Sequence, residues 1–398
     1  MDITIYPGTL SGTVTAIPSK SQAHRLLICA AFADRQTTLL CPETNRDIEA
    51  TAECLRALGA GITHTPEGYI VTPIFSPSGT AKLSCHDSGS TLRFLLPVAG
   101  ALGVDTTFLL EGRLPERPLS PLWEEMERMG CQLSRPTPQS IRCQGWLRAG
   151  EYTIDGNVSS QFITGLMLAT ALIPGESHIS LTGKVESRPY ITMTQRAMAL
   201  FGCPCEDFTL RGEHRFHSPG ILTVEGDWSG GAFFLGANAL GSDLTVKNLT
   251  PDSPQGDRAV TELLPKLEQK ATISAADVPD LIPILAVVAA CKQGAVFTDI
   301  RRLRLKESDR VASIIAMLTA LGGKAEADEN TLTVFGTGLT GGTVDSQKDH
   351  RIAMAAAIAA TVCKQPVSIL GAECSEKSYP QFWEEYASLG GHYEQYLR

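Results

Sequence analysis

Several short stretches of the chain concentrate the side chains that bind or move charge. "PSKSQAHR" carries Lys20, Ser21 and Arg25, and "DSGSTLR" carries Asp87, Gly89 and Arg93. "RLPERPLSP" sets Arg113 and Arg117 among prolines that disfavour helix. "RRLRLKESDRV" ends in Lys306, Glu307, Asp309 and Arg310, "DHRIAM" holds Arg351, and "CSEKSYPQF" holds Lys377. Cations in Ser/Gly-rich loops suit phosphate or carboxylate groups, which arginine and lysine bind by charge-assisted hydrogen bonds. Two acids, Asp280 in "DVPDLIP" and Glu307 in "LKESDR", are candidates for proton transfer. A carboxyl beside cations has a proton affinity set by what those cations are doing. Each acid also has a plainer reading, Asp280 as a helix cap and Glu307 as a partner of Lys306 or Arg310.

The chemistry implied is a cleft for small, multiply anionic ligands, although the whole chain is acidic, with a formal charge of −9 over 398 residues. That charge argues against a general nucleic-acid binder. It leaves anionic small molecules open, because the local field decides what a cleft attracts. Eleven scattered cysteines with no CxxC pattern read as reduced thiols of a cytoplasmic protein. No leader-like segment is apparent at the N-terminus, and the longest apolar runs are too short to span a bilayer. "SGST" is not a P-loop, and no GxGxxG motif points to a dinucleotide fold. "EHRFH" (Glu213, His214, His217) has spacing that a metal could use but reads as a solvated loop.

The elements that would position these groups recur. Small polar clusters run into apolar helices at Ser19, Ser88, Ser159, Ser229, Asp280 and His350, with gaps of 69, 71, 70, 51 and 70 residues. Five of the six units carry a second, amphipathic helix ending at a glycine: Gly59, Gly130, Gly202, Gly322 and Gly390. Alternating strand-like runs such as "GYIVTPI" and "PVSILGAE" lie between helices. The chain therefore reads as six copies of one αβ unit, grouped into three-unit globular domains. A helix N-terminus has unpaired N–H groups and a partial positive charge, so repetition aims several anion-binding ends together. A helix cap needs no cation, and the dipole disfavours one there. Lys20 with Arg25, Arg93 and Arg351 are thus recruited for a ligand.

In order along essentially the whole chain, "PSKSQAHR", "DSGSTLR", "LPERPL", "DGNVSSQF", "ESRPYITMT", "VEGDWSGGAFFL", "VPD", "RLKESDR", "DHRIAM" and "EKSYPQF" resemble the 3-phosphoshikimate 1-carboxyvinyltransferase (EPSP synthase) family. The resemblance implies an α/β fold, a two-domain inside-out α/β barrel of six βαβαββ-type repeats, three per domain. One domain would span 18–225 and the other 1–17 plus 226–398, with two crossovers as a hinge and closure around substrate. The implied reaction transfers the enolpyruvyl group of phosphoenolpyruvate to the 5-hydroxyl of shikimate 3-phosphate by addition–elimination, with no metal or redox cofactor. By the same resemblance, Lys20, Asp280, Lys306 and Glu307 are catalytic. Shikimate 3-phosphate falls to Lys20, Ser21, Arg25, Ser159, Ser160, Gln161, Ser187, Tyr190, Asp280 and Lys306. Phosphoenolpyruvate falls to Lys20, Gly89, Arg117, Gln161, Arg310, Arg351 and Lys377. A monomer without membrane or nucleic-acid partners is expected. Asp87 and Ser90 depart from the family's usual Asn and Thr, and Arg302 stands where some members have Asn. Two other readings remain: UDP-N-acetylglucosamine enolpyruvyl transferase, whose loop cysteine near Arg117 is lacking here, and a non-catalytic sugar-phosphate binder.

Overall fold

In a computed structural model, which describes residues 1–205, 207–212 and 216–396, the chain is α/β and groups into two compact units. One is Pro18–Glu225; the other is discontinuous, Met1–Ile17 with Gly226–Arg398. Each has its own hydrophobic core. "EHRFH" falls mostly outside the described residues; of it, His217 is described, with Nδ1 3.1 Å from Asp34 Oδ2.

The Pro18–Glu225 unit contains helices α1 (Lys20–Ala31), α2 (Arg46–Leu58), α3 (Gly89–Leu102), α4 (Leu122–Arg128), α5 (Ser160–Thr170) and α6 (Arg188–Leu200). The discontinuous unit contains α7 (Trp228–Ala239), α8 (Val260–Lys266), α9 (Ile282–Cys291), α10 (Arg310–Ala320), α11 (His350–Ala360) and α12 (Phe382–Ser388). The odd-numbered helices are the apolar ones anticipated from sequence. Every residue of α11 and nearly every residue of α9 is buried. The even-numbered helices bury one face and expose the other. All five helix-ending glycines have positive φ, between 72° and 117°.

Four of the six sheets among the described residues share one arrangement: a parallel strand pair, one member of which also pairs antiparallel with a strand later in the chain than itself. In the first unit Thr80–His86 runs parallel to Asp105–Leu110, which pairs antiparallel with Ser140–Gly145. In the second, Ala271–Ser274 runs parallel to Ala295–Thr298, which pairs antiparallel with Thr331–Phe335. The N-terminal strand Asp2–Tyr6 is integral to the discontinuous unit, pairing with both Val367–Leu370 and His392–Tyr396.

The helix contact that matters most for the site is α3 on α5. Pro97 lies inside α3 and has no N–H to give the carbonyl of Arg93, four residues earlier. Gly165 of α5 packs on that carbonyl: a Cβ there would lie 2.2 Å from Arg93 O. One turn toward the N-terminus, the same two helix faces carry Arg93 and Gln161.

Candidate active site

In the Pro18–Glu225 unit the polar groups collect at the N-terminal ends of α1, α3, α5 and α6. Ser19, Ser88 and Ser159 cap α1, α3 and α5 through their hydroxyls, as serine does where first-turn N–H groups lack partners. Lys20 opens α1 and places Nζ 2.9 Å from Asp47 Oδ2. Gly89 opens α3, and its lack of a side chain is what the site requires. A Cβ there would lie 2.8 Å from both Arg93 Nη1 and Arg117 Nη1. Arg93 Nη1 donates to Gln161 Oε1 at 2.8 Å, and Gln161 Nε2 donates to Ser90 Oγ at 2.9 Å. Arg117 follows a short 3₁₀ turn, Leu114–Glu116, where an irregular loop was expected.

Arg25 is buried across the same region. Nε donates to Thr194 Oγ1 at 2.8 Å, Nη1 to Ser21 O at 2.6 Å and Nη2 to Tyr190 O at 3.0 Å. Its guanidinium also lies 5.0 Å from the Phe94 ring centroid. Burial lowers its pKa to about 10, so it remains charged near neutrality. Arg25 thereby ties the start of α1 to the start of α6. Ser187, buried and left-handed at φ 55°, sits immediately before α6, and Tyr190 lies in that helix's first turn. Ser160, the first residue of α5, is also buried. The unit thus gathers Lys20, Ser21, Arg25, Gly89, Arg117, Ser159, Ser160, Gln161, Ser187 and Tyr190 around four helix starts.

The discontinuous unit gathers the second set around Asp280. Asp280 is not the cap residue of α9, which begins at Ile282 with Leu281 in the cap position. Its carboxylate instead faces three cations: Arg310 Nη1 at 2.8 Å, Arg351 Nη2 at 3.3 Å and Lys306 Nζ at 3.4 Å. Arg310 has no exposed side-chain surface and divides its fork between Asp280, Glu307 Oε2 at 2.8 Å and Asp349 Oδ2 at 3.0 Å. Asp349, equally buried, caps α11 by accepting from Arg351 N and also accepts from Ser308 Oγ, both at 3.0 Å. Lys377 ends the 3₁₀ segment Ala372–Lys377, is buried, and belongs to a segment packed on α11. Arg302 lies in another 3₁₀ segment, Arg301–Leu305.

Burial alone would raise the pKa of Asp280, but Arg351, Lys306 and Arg310 together hold it well below the usual carboxylate range. Burial pulls Lys306 down to about 8 against the opposing attraction of Asp280. Burial also acts to lower Arg310, but Asp349, Glu307 and Asp280 outweigh it and keep the guanidinium firmly protonated. Asp257 is fully buried beneath this cluster, accepts from Ser229 Oγ, and is pushed up to about 7 by burial and then by Asp280.

Sequence reasoning assigned no role to Asp47, Asp257 or Asp349. Asp349 had a signal, an acid immediately before His350 and Arg351 at a helix start. Asp47 and Asp257 meet their partners only through tertiary packing. Among the described residues, no group of three or more His, Cys, Asp or Glu is arranged to hold a metal, and no helix is long and apolar enough to cross a membrane.

A family model described as EPSP synthase (3-phosphoshikimate 1-carboxyvinyltransferase) matches residues 5–386. The chain is 37% identical to the 3-phosphoshikimate 1-carboxyvinyltransferase of Clostridium beijerinckii, covering 99% of each protein. It is 36% identical to that of Clostridium kluyveri, covering 99% of this chain and 98% of the relative. The fold matches the solved EPSP synthase of Acinetobacter baumannii with a TM-score of 0.80 at 22% identity, covering 99% of this chain and 100% of that one. The chain belongs to the EPSP synthase (3-phosphoshikimate 1-carboxyvinyltransferase) family.

Proposed function

We propose that this protein transfers the enolpyruvyl group of phosphoenolpyruvate to the 5-hydroxyl of shikimate 3-phosphate and releases phosphate. The observation that carries the catalytic reading is the Asp280 carboxylate held by Arg310, Arg351 and Lys306 beside Glu307. A carboxylate with three cationic neighbours is a weak base. Anionic substrate oxygens compete for those cations, and each one drawn away from Asp280 raises its basicity. Asp280 then takes the proton of the attacking hydroxyl.

On this reading a proton reaches the methylene carbon of phosphoenolpyruvate from Glu307 or Lys306, and the hydroxyl oxygen bonds to the neighbouring carbon. The tetrahedral adduct expels phosphate as a proton leaves the new methyl group. Glu307 and Lys306 suit such exchange: Lys306 titrates near 8, and Glu307 shares the Arg310 fork. Lys20, Gly89, Arg117 and Gln161 bind phosphoenolpyruvate together with Arg310, Arg351 and Lys377. Ser21, Arg25, Ser159, Ser160, Ser187 and Tyr190 bind shikimate 3-phosphate with Lys20, Gln161, Asp280 and Lys306. Fixed cations and helix-start N–H groups stabilise charge developing in the transition state.

The proposal includes an inside-out α/β barrel of three βαβαββ modules in each unit, and a hinge at the crossings near Pro18 and Glu225–Gly226. It also places the protein in the cytoplasm as a monomer. A UDP-N-acetylglucosamine transferase reading is disfavoured because the Arg117 loop has no cysteine and Cys131 is buried in the strand Cys131–Ser134. The deciding assay measures phosphate release from phosphoenolpyruvate with shikimate 3-phosphate, with UDP-N-acetylglucosamine, or with neither. Release only with shikimate 3-phosphate is expected. Release only with the nucleotide sugar, or none with either, refutes the assignment.

A further inference from the structure

Beneath the Gly89 turn runs a buried chain of hydrogen bonds. His24 Nδ1 lies 2.7 Å from Thr51 Oγ1, which lies 2.8 Å from Thr91 Oγ1. Thr91 Oγ1 donates to Ser88 Oγ at 2.8 Å, and Thr91 N donates to the same oxygen at 3.3 Å. His24, Thr51 and Thr91 have no exposed surface, and Ser88 has 1%. His24 Nε2 is buried with no hydrogen-bond partner among the described residues.

The direction of this chain follows from counting protons. Each hydroxyl has one proton to give, and a neutral imidazole has one N–H. Were the proton on Nε2, it would be a buried N–H without an acceptor, bearing the full cost of desolvation. A bare acceptor is the more readily tolerated defect. The proton therefore resides on Nδ1 and points to Thr51. Thr51 then donates to Thr91, and Thr91 to Ser88 at 2.8 Å in preference to its longer alternative, Asp47 O at 3.5 Å. Burial keeps His24 neutral, its pKa pulled down to about 3 against the attraction of Asp47, so a single tautomer persists across the working range. Ser88 Oγ receives two donors, and no acceptor among the described residues takes its own O–H. Ser88 directly precedes Gly89 in the chain, and Arg93 and Arg117 converge on Gly89.

We propose that Ser88 is a further anion-binding residue for the reaction: its hydroxyl donates to an anionic oxygen of phosphoenolpyruvate at the Gly89–Arg117 turn. His24 is the positioning residue, acting through Thr51 and Thr91 to leave that proton for the ligand. The proposal rests on the phosphoenolpyruvate reading of the turn; the relay itself can be tested apart from it.

Two measurements test it. In protein labelled with ¹⁵N-histidine, the His24 resonances, identified by their loss in His24→Asn, should show a protonated Nδ1 and an unprotonated Nε2 near pH 7. A protonated Nε2 reverses the relay and overturns the proposal whether or not the protein is active. In steady-state kinetics, Ser88→Gly keeps a competent helix cap while deleting the hydroxyl. It should raise the KM for phosphoenolpyruvate about 10- to 100-fold, the worth of a hydrogen bond to a charged group. The KM for shikimate 3-phosphate should hardly move, and Ser88→Thr should restore most of the loss. An unchanged KM for phosphoenolpyruvate in Ser88→Gly, or equal rises for both substrates, refutes the role of Ser88. Absence of turnover in the parent protein would instead count against the proposed function, while the tautomer measurement would still stand.

Discussion

Replacing Asp349 with asparagine changes one atom type at the most enclosed ion pair of the discontinuous unit. Arg310 and Asp349 both lack exposed side-chain surface, and their Nε–Oδ2 distance is 3.0 Å. Breaking a buried pair from one side typically costs about 3–5 kcal/mol, because the remaining charge loses its compensation. Arg310 would keep Asp280 and Glu307, each at 2.8 Å, which places the cost at the lower end, about 3 kcal/mol. Asparagine can preserve the α11 cap, since its oxygen can still accept from Arg351 N. It then turns an amide N–H₂ toward the Arg310 Nε–H, donor against donor. With a melting shift of roughly 2–4 °C per kcal/mol for bodies of this size, the midpoint of this unit should fall by about 6–12 °C. Calorimetry of Asp349→Asn beside Arg301→Ala provides the control. Arg301 pairs with Glu329 at 2.9 Å, but the two side chains are 67% and 81% exposed, and such pairs contribute little. A fall below about 2 °C for Asp349→Asn, or one no larger than that of Arg301→Ala, would refute the claim that the buried network holds the unit together.

Further outcomes follow from other parts of the fold. Glu307→Gln should lower kcat by roughly 100-fold or more, within the usual range for general acid–base groups, while changing either KM less than threefold; a loss confined to KM would remove Glu307 from proton transfer. Gly165→Ala should destabilise by about 3 kcal/mol, as expected of overpacking, since the added Cβ would lie 2.2 Å from the Arg93 carbonyl. Urea unfolding indistinguishable from the parent would contradict that close approach. Asp257 has its folded pKa raised from 3.8 to about 7, burial being the larger cause. Its contribution to stability is therefore complete below pH 4 and is lost as pH rises through 7. Asp257→Asn should match the parent near pH 4 and exceed it in stability near pH 8; an unchanged pH slope would show that Asp257 does not titrate in this window.

The helix starts and ends were readable because they are written in local chemistry. Ser19, Ser88 and Ser159 are caps whose hydroxyls bond first-turn N–H groups, and the five glycines end helices where a left-handed residue is needed. Both signals lie within a few residues of the structure they specify. Pairings between distant segments had no such trace. Nothing near Gly165 in sequence reveals that it covers the carbonyl freed by Pro97. The plainer reading of Glu307, a bond to Arg310, is present at 2.8 Å and does not exclude chemistry. The cap position of α9 that the plainer reading gave to Asp280 is held by Leu281. Its sequence context, an acid just before an apolar helix, resembles the Asp227 cap of α7, and only tertiary contacts with Arg310, Arg351 and Lys306 distinguish the two.

Those contacts explain how an acidic chain can maintain a densely cationic site. An isolated buried guanidinium is costly to desolvate, and on the proposed reading Arg310 must bind an anion without disrupting the core around it. Asp280, Glu307 and Asp349 offset that cost, but they do so unequally. Asp349 is fully enclosed and anchored to Ser308 and the start of α11. Asp280 and Glu307 keep 16% and 18% of their side-chain surface exposed. The enclosed acid fixes the cation in place, whereas the accessible acids hold it by bonds that an incoming phosphate or carboxylate can contest. On the proposed reading, an exchange of that kind couples anion binding to a change in carboxylate basicity, so that groups that stabilise the fold would also set the acidity on which proton transfer depends.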